Sequence, residues 1–177
     1  MYIQELLIKK EFWIRKQLLH VEQNQPLKIN LEDEVLLFGE VHSIDIDEVE
    51  QLRVYLDKLR VVNTLNIQKC YDNFYKRYAN KYLIPRLDYF SNIMNLKYEE
   101  IKFRKMKSRW GSCSSKGVIT LNTQLIKIDK ELIDYIIVHE LAHLTHMNHS
   151  KKFHNLVESY ISNHKELNQR LKAIHLL

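Results

Sequence analysis

The chain has 177 residues, 45% of them apolar and 28% charged, with a formal net charge of +5 and only 3 Gly and 2 Pro. That balance predicts one folded domain, excludes disorder as the main state, and argues against turn-rich sandwiches and propellers in favour of long helices. No apolar run approaches the roughly 18 residues of a membrane span, and Met1 to Lys16 lacks the apolar heart of a secretory signal, so the expected compartment is the cytoplasm.

From Ile3 to about Gln23, the residues Ile3, Leu6, Leu7, Ile14, Leu18 and Val21 recur at helical spacing, and Pro26 follows the predicted helix end. Val35 to Phe38 and Val41 to Ile46 read as two short strands joined at Gly39. Ser43 through Asp47 offers a cap for an amphipathic helix marked by Val49, Leu52, Leu56 and Leu59. A longer helical stretch covers residues 63–95 and is predicted to break or kink near Pro85. Its Tyr71, Phe74, Tyr75, Tyr78, Tyr82, Tyr89 and Phe90 read as core rather than as a base-stacking surface.

Ile101, Phe103 and Met106 alternate with polar residues and predict a strand. A second follows where Ile119 and Leu121 face away from Val118, Thr120 and Asn122. Between them, residues 108–117 form a polar loop that holds two of the three glycines. Asp129 is placed to cap a helix running to about Met147, with Glu131 in its first turn, and Ser150 and Asn163 to cap the last two helices. The order gives an α+β domain dominated by helix with a small antiparallel sheet. Residues 1–62 and 63–177 are expected as two segments of one compact unit. Cys70 and Cys113 are too few for a disulfide framework and fit a reducing compartment.

Five of the nine histidines crowd between His139 and His154. Among them, His139-Glu140-Leu141-Ala142-His143 is HExxH within a predicted helix. Four residues is about one turn, so both imidazoles leave one face and can grip one ion. Glu140 lies roughly 100° round that helix, able to reach a water on the ion without ligating it. Zinc suits the set, one ion per chain, because it accepts imidazole nitrogen, keeps a position open and lowers the pKa of its water toward ~7.

HExxH arises by chance in roughly 4 sequences in a hundred of this composition, and a third histidine at one fixed position lowers that to roughly 2 in a thousand. The apolar flanks Ile136-Ile137-Val138 and Leu141-Ala142 sharpen it, since buried His and Glu need partners. His149 follows His143 by six residues, where the chain can turn back as third ligand. His154 and Glu158, on the next helix, are the alternatives. His146 points away from the metal face.

The stretches SRWGSCSSKGVITLN, LIDYIIVHELAHL and NHSKKF, within residues 108–153, resemble the YgjP-like metallopeptidase domain. The resemblance covers roughly the last 80 residues closely. It implies a zincin-like fold, a zinc-dependent hydrolase, ligands at His139, His143 and His149, and Glu140 as base. Two departures stand out. His154 replaces the tryptophan usual after Phe153. The family's extra β structure ahead of a helix like Phe12-Trp13-Ile14-Arg15-Lys16 is missing, so a reduced N-terminal substrate surface is expected. The loop at Arg109 to Cys113 then has two readings. In one, its flanking strand borders the cleft and pairs with an extended peptide, while Arg109 or Ser112 binds an anionic group. In the other, Trp110 plugs the core, the glycines shape turns and Cys113 is a small buried residue.

Hydrolysis of a peptide or amide bond leads, with Tyr135, His146 and Arg109 as candidate oxyanion donors. Hydrolysis of a phosphoanhydride at the same metal is the alternative, suggested by Arg109, Lys105, Lys107 and Lys116. The substrate is accordingly a peptide or protein, or else a small anion. The Lys/Arg-rich segment Lys102 to Arg109 and a pI near 9.1 allow nucleic-acid association, though no recognised nucleic-acid motif is present and no membrane association is expected.

Overall fold

In the computed structural model, the structure describes Glu11, Asn30, Leu31 and residues 33–174. The helix expected over Ile3 to Gln23 lies outside the described residues, apart from Glu11.

A tight hairpin comes first: β1 (Glu34–Leu37) pairs antiparallel with β2 (Glu40–Ser43), close to the expected strands. Its two turn residues, Phe38 and Gly39, have positive φ of 52° and 86°, the geometry that matches strand twist in a two-residue hairpin. Gly39 is doubly required, because a Cβ there would lie 2.0 Å from Asp129 Oδ1. Phe38 holds its left-handed backbone by packing on Tyr82, with ring centroids 4.7 Å apart, while its N–H donates to the Ile126 carbonyl at 2.8 Å.

After α1 (Glu50–Asp57) comes α2 (Thr64–Met94), 31 residues long, capped by the Asn63 side chain and ended by Asn95 in left-handed conformation. The break expected at Pro85 does not occur. Leu83 and Leu87, on either side of it, are wholly buried, and that packing carries the helix across the missing N–H. Tyr71, Phe74, Tyr75 and Phe90 are core as the pattern predicted, whereas Tyr89 is about half exposed beneath the Arg86 guanidinium. The Tyr71 and Tyr75 hydroxyls donate to the carbonyls of Glu34 and Leu36 at 2.6 and 3.1 Å and so fasten the hairpin to α2.

Three strands follow: β3 (Glu100–Arg104), β4 (Gly111–Cys113) and β5 (Val118–Asn122), in the order β3-β5-β4. β4 and β5 are antiparallel, but β3 runs parallel to β5, so the sheet is mixed where an antiparallel one was expected. The reason is β4 itself, a strand hidden in Gly-Ser-Cys, which takes the antiparallel place beside β5 and leaves β3 the opposite side. β5 is central, with Ile119 and Leu121 wholly buried.

α3 (Lys130–Ala142) is apolar nearly all round, as a helix enclosed by other elements must be. It stops at Ala142, short of the expected Met147, because the N–H groups of Leu144 and Thr145 turn to the carbonyls three residues back. Ser150 caps α4 (Lys151–Tyr160) as predicted. Asp129 and Asn163 sit at the N-cap positions of α3 and α5 (His164–Ala173), yet neither side chain caps its helix. Asp129 pairs with Arg170, and Asn163 donates to Glu131 at 2.8 Å, so α5 is bound to the first turn of α3. On its other flank α3 is tied to α2 by a bidentate Arg86–Asp134 pair, 2.6 Å on both arms. Among the described residues, no helix is long and apolar enough to cross a membrane.

Candidate metal centre

α3 carries His139 in its last turn and His143 as its C-cap, one helical turn apart. The turn that follows brings the chain back, so that the ligand atoms of His139, His143 and His149 all lie within 4.8 Å of one another. His149 Nε2 is 3.0 Å from His139 Nε2. His143 Nδ1 lies 3.0 Å from the His146 carbonyl. A carbonyl only accepts, so the proton resides on Nδ1 and the Nε2 lone pair is left facing its two neighbours. Phe153 of α4, buried, closes the base, its ring 4.6 to 4.9 Å from each of the three imidazoles.

Burial first, then the adjoining imidazoles, push the His139 ring down to about 3, and burial lowers His149 as well. Both are therefore neutral at neutral pH, the form that ligates a metal. Three imidazole nitrogens converging at this spacing fit one cation, and an all-imidazole set leaving one position open suits zinc.

Glu140 is 6% exposed and stands outside the nitrogen cluster. Burial pushes its carboxyl up to about 8, opposed by the Arg109 guanidinium. Its Oε2 is buried without a hydrogen-bond partner among the described residues. Gly111 of β4 makes room for it: a Cβ there would lie 2.7 Å from Glu140 Oε1 and 2.8 Å from Cγ.

The histidines and Glu140 open on a cleft of about 420 Å³ whose opposite wall carries Arg109, Ser112 and Cys113. Both predicted substrate-binding residues, Arg109 and Ser112, thus face the cleft. Burial, followed by the Glu140 charge, pushes the Cys113 thiol up to about 11, which leaves no thiolate near neutrality. Trp110 packs against the core instead of lining the cleft. Of the candidate oxyanion donors only Arg109 lines the cleft; Tyr135 is buried against His139, and His146 engages His143 through its backbone. His154 is exposed, its ring 6.3 Å from His149 and stacked on His164, and it stays outside the three-histidine group, as does Glu158.

Sequence reasoning missed two residues that shape this wall, Gly111 and Asn122. Asn122 is wholly buried at the end of β5. Its Nδ2 donates to the Met106 and Arg109 carbonyls at 2.8 and 2.9 Å, and its Oδ1 accepts from the Met106 and Gln124 N–H groups at 3.3 and 3.1 Å. The loop that presents Arg109 is folded around this amide. The only signal in the sequence was a polar residue ending an apolar strand.

Residues 1–174 match the family described as YgjP-like, metallopeptidase domain. An uncharacterised protein of Methanocaldococcus jannaschii is 36% identical over 81 residues, which is 44% of this chain and 74% of that protein. Among solved structures, the metallopeptidase zymogen abylysin of Pyrococcus abyssi is 26% identical with a TM-score of 0.47, covering 52% of this chain and 97% of that one. The metallopeptidase zymogen jannalysin of M. jannaschii is also 26% identical, with a TM-score of 0.44, over 49% of this chain and 90% of that one. Both TM-scores fall below 0.5, so membership rests on the sequence match.

Proposed function

The chain belongs to the YgjP-like metallopeptidase family, and from that premise we propose that it is a zinc peptidase in which His139, His143 and His149 hold the ion and Glu140 is the general base. Family membership makes it a metal-dependent hydrolase of peptides or proteins. The observation that carries the finer reading is Glu140, a buried carboxyl with an unpartnered oxygen beside three converging imidazoles.

Zinc, when bound, supplies Lewis acidity, polarising the scissile carbonyl and acidifying a water. Glu140 takes the proton from the attacking water and delivers it to the leaving nitrogen. Without metal, burial holds this carboxyl up at about 8, which suits it to deliver a proton; a cation bound beside it would favour the ionised form that accepts one. Arg109, across the cleft, is the donor available to a developing oxyanion or to a substrate carboxylate. β4 pairs with β5 along one side only, among the described residues, so its other edge is available to an extended peptide. Contacts of the hairpin and α1 with α2 support treating residues 1–62 and 63–177 as one unit.

Phosphoanhydride hydrolysis has Arg109 in its favour, while Lys116 lines an adjoining hollow and not the metal cleft. Against it, Lys105 is held by Asp72 at 2.7 Å and Lys107 does not line the cleft. Pairing of Lys102 with Glu100 at 2.9 Å likewise weakens the segment invoked for nucleic acid. The test is Glu140→Gln: the variant keeps its metal and loses at least about a hundredfold in kcat on a casein-type substrate. Undiminished turnover by the metal-loaded variant would refute the assignment.

A further inference from the structure

A second hollow of about 640 Å³ adjoins the metal cleft, and His143 and Met147 line both. β4 runs from one to the other: Gly111 and Cys113 line the metal cleft, and Ser114, just past the strand, lines the hollow. Lys116 stands at the tip between β4 and β5, and Lys97 lies two residues beyond Asn95, where the chain leaves α2. One backbone hydrogen bond joins the two segments, and two further bonds close the turn between β4 and β5. The Glu99 N–H donates to the Gly117 carbonyl at 2.9 Å, the Gly117 N–H to the Ser114 carbonyl at 3.0 Å, and the Val118 N–H to Ser114 Oγ at 3.2 Å. Both lysines thus spring from a hydrogen-bonded backbone beside the metal cleft.

Lys102 and Lys105, on and just after β3, pair with Glu100 and Asp72. Lys97 and Lys116 have no ion-pair partner among the described residues. The one carboxylate in the wall belongs to Glu99, whose Cγ lies against Gly117, so the hollow keeps a surplus positive charge. Ser114 Oγ already accepts a backbone N–H, which leaves its own O–H to donate, and Ser115 beside it offers a second hydroxyl. Cations and hydroxyl donors without a matching set of acceptors form the complement of a carboxylate.

We propose that this hollow is a substrate subsite for an acidic side chain, so that preferred peptides carry Asp or Glu on one flank of the scissile bond. The subsite rests on the peptidase reading. Lysines on flexible stems in contact with water act as point charges, so the preference is for charge rather than for one exact side-chain length, and it is modest and salt-sensitive.

Quenched fluorescent peptides that differ only in Glu or Gln on either side of the cleaved bond test it. Wild type is expected to favour the Glu peptide by about fivefold in kcat/KM at low salt. The ratio falls toward one in about 0.5 M NaCl and in the K97Q/K116Q double variant, and K97E/K116E reverses it in favour of Lys peptides. A ratio of one in wild type, or a ratio unchanged in K97Q/K116Q, would overturn the subsite. Anisotropy of the labelled peptides on E140Q separates the two levels of inference. Lysine-dependent preference for the Glu peptide in binding, with no peptide cleaved by wild type, keeps a binding site for acidic side chains and sinks the peptidase reading that makes it a substrate subsite. Cleavage and binding indifferent to charge do the reverse.

Discussion

Gly111 should be as necessary to catalysis as the base it faces, though it has no side chain to react. A Cβ built there lies 2.7, 2.8 and 2.9 Å from Oε1, Cγ and Cδ of Glu140, where ordinary contact begins near 3.4 Å. Neither wall yields easily: Gly111 is registered opposite Leu121 in the sheet, and Glu140 is 6% exposed on the enclosed helix α3. Gly111→Ala must therefore shift the carboxylate by about 0.5–1 Å, and misplacement on that scale costs on the order of a hundredfold in rate. Overpacking also costs about 1–3 kcal/mol of stability. Nothing in the clash touches the three histidines, so zinc content should hold at wild-type level. The assay is kcat/KM on a peptide substrate beside elemental analysis and a thermal melt. A folded, zinc-loaded Gly111→Ala enzyme with full activity would refute the placement of Glu140 as base.

Two further perturbations probe the same wall. In chelated, metal-free protein, Glu140 is raised from its ordinary 4.5 to about 8, so the folded state holds a proton that the unfolded chain releases, and stability falls as pH rises between those values. His139, lowered from 6.5 to about 3, acts oppositely: stability falls as pH drops through that interval. Glu140→Gln should then stabilise metal-free protein by a few kcal/mol at pH 9 and by little near pH 4, read by urea unfolding; equal effects at both would contradict it. Asn122→Ala strands the carbonyls of Met106 and Arg109 and the Gln124 N–H, and should cost about 2–4 kcal/mol in urea unfolding. Its peptide kcat/KM should fall while zinc is retained; unaltered kcat/KM would show that the Arg109 loop does not need this anchor.

What could be read in advance follows from the range of the forces involved. HExxH was legible because one helical turn sets the relation of His139 to His143, and the aromatic stripe of α2 because burial imposes its own period. The hairpin was legible from Gly39 and the β-branched residues around it. β4 was not, since Gly-Ser-Cys has no apolar alternation to announce a strand, and without it the parallel pairing of β3 with β5 could not be foreseen. Asp129 and Asn163 have the chemistry of caps and the right positions. Their side chains go instead to Arg170 and Glu131, partners more than 30 residues away, which no local rule weighs. Gly111 and Asn122 escaped for a similar reason, because each acts on a residue brought near only by the fold.

The central claim is a three-histidine zinc site, and metal content tests it most directly. Elemental analysis of purified wild type should give about one zinc per chain, His149→Ala should lose most of it, and His154→Ala should keep it. Zinc retained without His149, or lost without His154, would contradict the ligand set; no zinc in the wild type after supplementation would contradict the metal centre itself.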